Sequence, residues 1–387
     1  MKDIYFRTDG NSNIATGHLM RCLAIARACA QEGSNIRFVV SDEESAALLQ
    51  ERFAVMQEFD ICCLHRDYKD LEHEVPSLLS CLAADTDSDT GKTASERKPW
   101  LFIDSYYVST SYFRALRSHF RVAYLDDLQS FDCAVDLVIN YDTDKDCAFY
   151  SNASRKLLGA RYTPLRNQFC SPAYEVRPVA EHVLLSTGGT DPFRVAESLL
   201  RSVYDISSSR DTKILRSMHY HVLTSRANTR YDTLTALAKE HSSIHIHTNV
   251  AEVAALMASC DLAVSAGGTT LCELCAVGVP SVSYLMAENQ RIAVETFEEL
   301  KLIPCAGDIR PAGFSADPVF SGTDSSTSPV LCRTSADICN SSVLSRILGF
   351  LSNMAQDPAA RAEISAAMRN YLDGTGAQQI ARALILS

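Results

Sequence analysis

IYFRTDGNSN IATGHLMRCL AIARACAQEG, residues Ile4 to Gly33, is the stretch whose reading decides the fold. Ile4-Tyr5-Phe6 has the apolar character of a short strand, and Arg7 to Thr16 is a polar loop. Gly17 to Glu32 then takes up helical period, with Gly33 at the usual C-terminal glycine position. Ile36-Arg37-Phe38-Val39-Val40 follows at once as a second strand. Strand, loop, helix and strand in that order form one unit of a parallel sheet wrapped by helices.

Outward from this unit the alternation continues. Ser41 to Glu44 has capping-box spacing and heads a helix running to about Phe53. Further strands are expected at Ile61–Leu64, Leu101–Ile103, Val122–Leu125 and Leu137–Ile139. Thr163 to Pro178, with Pro164, Pro172 and Pro178, interrupts the periodicity and reads as an interdomain linker. A second series follows, with strands at His182–Ser186, Tyr220–Leu223, Ile244–Ile246, Leu262–Ser265 and Pro280–Leu285, and helices such as Arg194–Tyr204 and Val250–Ser259. Residues from Ala336 onward read as helices. The expectation is an α/β chain of two Rossmann-like domains, 1–162 and 179–387, joined by the linker 163–178. Asp85–Lys98 and Arg310–Arg333, rich in polar residues, read as solvated insertions.

Size and composition agree. A chain of 387 residues exceeds what one hydrophobic core usually serves, and 47% apolar with 21% charged residues is ordinary for a globular protein. The formal net charge of −11 provides no general attraction for nucleic acid or anionic lipid. Met1 to Arg7 reaches charge too early for a signal peptide, and no apolar run is long enough to span a bilayer, so the expectation is a cytoplasmic protein without membrane partners. The 14 cysteines are scattered, often within apolar segments, and are expected to be reduced.

Ligands of open parallel sheets bind beyond the carboxyl ends of the strands. That rule selects three loops. The first, Arg7 to His18, lacks the full G-x-G-x-x-G pattern of a dinucleotide site. It places Gly17 and His18 in the first helical turn, where the positive end of the helix dipole favours the neutral, proton-accepting ring. Asp9 is positioned to orient that ring, and Arg21, one turn on, to share its surroundings. The alternative is that His18 packs or caps the helix end and Asp9 caps the loop.

The second loop is Ser186-Thr187-Gly188-Gly189-Thr190-Asp191-Pro192, where the glycines permit close backbone approach by a phosphate or sugar. The third is Ser265-Ala266-Gly267-Gly268-Thr269-Thr270, opening a helix that carries Glu273. Its first amides suit a diphosphate, its hydroxyls add hydrogen bonds, and Glu273 suits the two ribose hydroxyls. Glu288, Asn289 and Gln290 follow another strand and offer groups for hydroxyl or acetamido recognition. Tight connections and ordinary caps account for each loop equally well taken singly; two glycine pairs at equivalent strand ends favour a nucleotide.

Cys272 and Cys275 form a lone C-x-x-C inside the Glu273 helix and are expected to pack there. His219 with His221 and His245 with His247 have strand spacing that puts each pair on one face, expected to be solvated, the alternative being a metal site. No metal and no cofactor are expected.

Taken together, Asp9-Gly10-Asn11, Gly17 to Ala24, Gly188 to Pro192, Ala266 to Thr270, Leu271 to Ala276, Gly278-Val279-Pro280 and Ala287 to Gln290 resemble the UDP-sugar hydrolases of pseudaminic acid biosynthesis. Thr163-Pro164-Leu165-Arg166 resembles the interdomain segment of that family. The resemblance spans both halves in order and implies a glycosyltransferase B fold, two domains facing across a cleft that holds the active site. It implies hydrolysis of UDP-2,4-diacetamido-2,4,6-trideoxy-β-L-altropyranose to UDP and free sugar, without a metal, by water attacking the anomeric carbon. The family's catalytic histidine falls on His18. The insertions depart from the family pattern. Rival readings are an inverting glycosyltransferase, a nucleotide-sugar binding protein without catalysis, and a sugar-nucleotide 2-epimerase of similar fold.

Overall fold

The computed structural model describes residues 2–11, 14, 16–53, 59–83, 98–126, 128–141, 148–170, 172–205, 210–310 and 340–386. It divides into two compact units, Met1–Cys170 together with Gly374–Ser387, and Ser171–Asp373.

The first unit runs β1 (Asp3–Thr8), α1 (Gly17–Gln31), β2 (Asn35–Val40), α2 (Glu43–Phe53), β3 (Asp60–Cys63), α3 (Leu71–Ala83), β4 (Trp100–Asp104), α4 (Thr110–Leu116), β5 (Arg121–Leu125), β6 (Leu137–Asn140) and β7 (Lys156–Leu158). All seven strands pair in parallel, in the order β3-β2-β1-β4-β5-β6-β7. The strand order reverses between β1 and β4, which makes their carboxyl ends the topological switch point. Alternate side chains feed two cores. Phe6, Phe38, Trp100 and Phe102 pack with Leu19, Leu23 and Ala26 of α1 on one face. Tyr5, Val39, Leu101 and Ile103 pack with Leu71, Leu78, Tyr112 and Phe113 on the other.

The second unit repeats the plan with β8 (His182–Ser186), α5 (Val195–Asp205), α6 (Arg210–Arg216), β9 (His219–Leu223), α7 (Tyr231–Glu240), β10 (Ile244–His247), α8 (Val253–Ala258), β11 (Leu262–Ala266), α9 (Thr269–Val277), β12 (Ser281–Leu285), α10 (Arg291–Glu299), β13 (Cys305–Asp308), α11 (Ser341–Gln356) and α12 (Pro358–Tyr371). Its parallel order is β10-β9-β8-β11-β12-β13, with the switch point between β8 and β11. The chain is thus α/β with two parallel, Rossmann-like sheets, as the sequence pattern requires.

Several expectations need correction. The C-terminal helix Gly376–Ile385 belongs with the first unit, not the second: Ala377, Ile380, Ala381 and Leu384 enter the α1 core. Gly374 and Gly376 permit this, because a Cβ at either would collide with backbone of Phe169 or of Tyr162 and Thr163. The segment read as a linker from Thr163 onward is therefore packed as far as the unit boundary after Cys170, with Thr163, Leu165 and Phe169 buried. Ser41 does not cap α2. Asp42 does, its Oδ1 accepting from Ser45 N at 2.7 Å, while Ser41 is drawn into the charge cluster described below. The short strands β7 and β13 carry no periodic signal in the sequence and join the sheets at their edges. Cys62 and Cys81 are joined as a disulfide between β3 and α3, where reduced thiols are expected. Cys275 does pack as expected, buried with its thiol donating to Met368 O. Both insertions lie outside the described residues except at Lys98 and Arg310. No helix among the described residues is long and apolar enough to cross a membrane.

Candidate active site

His18 stands in the first turn of α1 and Asp104 is the last residue of β4, both at the switch point of the first sheet. Register carries Asp104 there, since it is the partner of Thr8 at the end of β1. His18 Nδ1 lies 2.6 Å from Asp104 Oδ1. A carboxylate only accepts, so Nδ1 carries the proton and Nε2 is the nitrogen left to exchange one.

Arg21, one helical turn after His18, clamps the same carboxylate: Nε donates to Oδ2 and Nη2 to Oδ1, each at 2.5 Å. Its Nη1 donates to the Tyr141 hydroxyl at 2.7 Å. Burial of Asp104 opposes its ionisation, but the Arg21 guanidinium and His18 outweigh that, and the carboxyl is held well below the usual carboxylate range. Tyr106, which is 37% exposed, sets its ring edge-on to His18 at 4.5 Å between centroids. Asp9, His18, Tyr68, Asp104, Tyr106 and Tyr107 line one hollow.

His18 and Arg21 thus stand together as expected, but the carboxylate on the ring is Asp104 and not Asp9. Asp9 is spent elsewhere: it accepts from Arg7 Nη1 at 2.5 Å and from Ser41 N at 2.6 Å. Arg7 is fully buried and also donates to both oxygens of Glu74 at 2.7 Å and to Ser41 Oγ at 2.6 Å. Burial opposes the Arg7 charge, yet Asp9 and Glu74 more than offset it and hold the guanidinium protonated. This cluster fixes the floor of the β1 loop. Asp104 was findable, because the apolar run Trp100-Leu101-Phe102-Ile103 ends in an acid at the carboxyl end of a strand.

In the second unit, the two glycine loops follow β8 and β11, the strands that flank its switch point. Gly267 is buried where a Cβ would meet Val294 and Gln290, so only glycine lets this loop lie against α10. Gly268 is the N-cap of α9 and has no side chain to satisfy the first amides of Thr269 and Thr270. Thr269 is exposed; Thr270 and Glu273 are half-buried. Gly188, at φ +85°, turns the β8 loop, and Gly189 O accepts from Ser225 Oγ at 2.8 Å. Gly189 and Thr190 are exposed.

Three expected ligand contacts are otherwise engaged. Asp191 is buried and caps α5, its oxygens accepting from Val195 N at 2.9 Å and Ala196 N at 3.0 Å. Glu288 is paired with Arg291 at 2.5 Å and Arg310 at 2.9 Å, which lower its pKa to about 2. Gln290 Oε1 accepts from Met286 N at 3.1 Å and so braces the Gly267 loop. Asn289 shares the short turn Glu288–Gln290, and its side chain lies outside what is described.

No family model matches the chain. An uncharacterized protein of Methanocaldococcus jannaschii is 24% identical over 299 residues, which are 73% of this chain and 56% of that protein. The chain thus spans little more than half the length of this relative. Solved structures of similar fold include MurG of Acinetobacter baumannii, with TM-score 0.61, 12% identity and 100% of each chain covered. The kitacinnamycin glycosyltransferase superposes with TM-score 0.59 at 13% identity over 100% of this chain and 98% of its own. Os79 of O. sativa, in complex with UDP, gives 0.59 at 12% identity over 99% of each. At these identities the likeness is one of fold, and that fold is the glycosyltransferase B type.

Proposed function

We propose that the chain cleaves the glycosyl C–O bond of a UDP-linked sugar and passes the sugar to an acceptor hydroxyl. The observation that carries this reading is the Asp104–His18 pair with its Arg21 clamp at the first switch point. His18 Nε2 takes the proton of the attacking hydroxyl as its oxygen bonds to the anomeric carbon. The bond to the UDP oxygen breaks, its electron pair leaves with the diphosphate, and the configuration at carbon inverts. Asp104 fixes the tautomer of His18 and stabilises the imidazolium formed; here Asp9 supports the loop.

The second unit's share is the nucleotide. The amides at the start of α9, with the hydroxyls of Thr269 and Thr270, receive the growing diphosphate charge, and Glu273 accepts from the ribose. Gly188, Gly189 and Thr190 hold the sugar end. Os79, a neighbour by fold, is in complex with UDP, which supports this nucleotide. Gly17 opens the helix that carries the base.

A second reading has a specific basis. The motifs from Gly17-His18 to Ala287-Glu288-Asn289-Gln290 resemble the UDP-sugar hydrolases of pseudaminic acid biosynthesis, in which water takes the place of the acceptor. The likeness to solved glycosyltransferases favours transfer. Incubating the pure protein with a panel of UDP-sugars, with and without candidate acceptors, and following products by NMR separates the two. UDP and free sugar without acceptor mean hydrolysis; UDP only with acceptor means transfer. UDP binding with no turnover of any sugar contradicts both.

A further inference from the structure

One face of the three outer strands of the second sheet carries five histidines. Register sets His182 of β8 beside His219 of β9, and His221 of β9 beside His245 of β10, with His247 two residues further on the same face. These rings are half-buried and packed on one another, not on the solvated face expected from sequence. Centroids are 5.2 Å apart for His182–His219, 5.0 Å for His221–His245 and 5.2 Å for His221–His247. His221 is the common member: its Nε2 lies 3.0 Å from His182 Nδ1, and its Nδ1 lies 3.0 Å from His247 Nε2. His219 Nδ1 and His245 Nε2 form a further pair at 3.2 Å.

We propose that this patch binds a divalent transition metal ion of the class that prefers imidazole, such as nickel, zinc or copper, through His221 and one of its two ring partners. A metal with bonds of about 2.0–2.1 Å to two imidazole nitrogens holds them about 3.0–3.3 Å apart when the angle between the bonds slightly exceeds a right angle. The ring pairs already stand at that separation. Each ring coordinates through one nitrogen and keeps its proton on the other, so binding needs a tautomer change but no loss of charge. When the ion sits between His182 and His221, His221 Nδ1–H still donates to His247, the outer hydrogen bond that ligating histidines commonly keep. Zinc, nickel and copper share this donor preference, whereas magnesium and calcium seek oxygen.

The test is calorimetric titration of the metal-stripped full chain with nickel chloride at neutral pH, paired with thermal melting. Saturable binding with a raised Tm is expected, and His221→Gln weakens binding at least about tenfold. Magnesium chloride under the same conditions gives neither signal. Absence of binding in the wild-type chain, or equal affinity in His221→Gln, overturns the proposal. If circular dichroism shows that His221→Gln does not fold, the His182→Gln/His247→Gln pair removes both partners of His221 while leaving that ring in place, and the same comparison decides.

Discussion

His18 and Asp104 lie 86 residues apart in sequence, yet their Nδ1 and Oδ1 atoms are 2.6 Å apart because β1 and β4 are neighbours in the sheet. The pairing gives the imidazole one defined tautomer. It also gives the arrangement a consequence that neither residue carries alone.

Asp104→Asn keeps the shape of the side chain but turns the acceptor for His18 Nδ1 into an ambiguous partner, which releases the tautomer. UDP formation should fall by about 10³–10⁴-fold while the fold is retained by circular dichroism. Asp9→Asn should be milder on kcat, since Asp9 touches Arg7 and Ser41 instead of the ring.

The depressed Asp104 carboxyl sets a sign for pH dependence. Its folded pKa lies below the unfolded value of about 3.9, so its contribution is fully present above that value and is lost as pH falls through the folded pKa. The wild-type advantage in urea midpoint over Asp104→Asn should therefore shrink as pH falls below about 4. A difference that holds constant below about pH 4 would contradict this.

Glu74 is buried and takes two hydrogen bonds from Arg7 and one from the Tyr112 hydroxyl at 2.7 Å. Glu74→Ala leaves a buried guanidinium short of its partner and should destabilise the first unit by about 3–5 kcal/mol. Tyr112→Phe removes one hydrogen bond and should cost only about 1–2 kcal/mol. Denaturant unfolding of the two variants measures the difference.

The β1 and α1 segment was legible because apolar residues recur at two distinct periods with a glycine stop between elements. Both glycine loops were legible for the same reason. Asp104 was missed because the strand reading ended at Ile103, and adjacency across a sheet comes from topology, not spacing. Asp191 was read as a ligand contact, although its place before Pro192 and the helix start is also what a cap requires. The Gly376–Ile385 helix is amphipathic in sequence, but nothing local says which sheet it covers. Arg7 and Glu74 are 67 residues apart, and their pairing was invisible for that reason.

Asp191→Ala tests the cap assignment. Losing the α5 cap should destabilise the second unit by about 1–2 kcal/mol while leaving the KM for a UDP-sugar within about twofold. A large rise in KM at unchanged stability would restore the ligand role.

Acid should loosen the histidine face. His221 has a folded pKa of about 4 against an unfolded value of about 6.5, so its stability contribution is complete above the unfolded value and is lost as pH falls toward the folded one. The urea midpoint of the metal-free second unit should drop between neutrality and about pH 5, and His221→Gln should flatten that drop.

The most direct measurement is the rate of UDP release from a turned-over UDP-sugar by wild-type, His18→Gln and Asp104→Asn chains, with UDP affinity measured alongside. Both variants should lose turnover by orders of magnitude while binding UDP as the wild type does. Full turnover in a folded His18→Gln chain would contradict this.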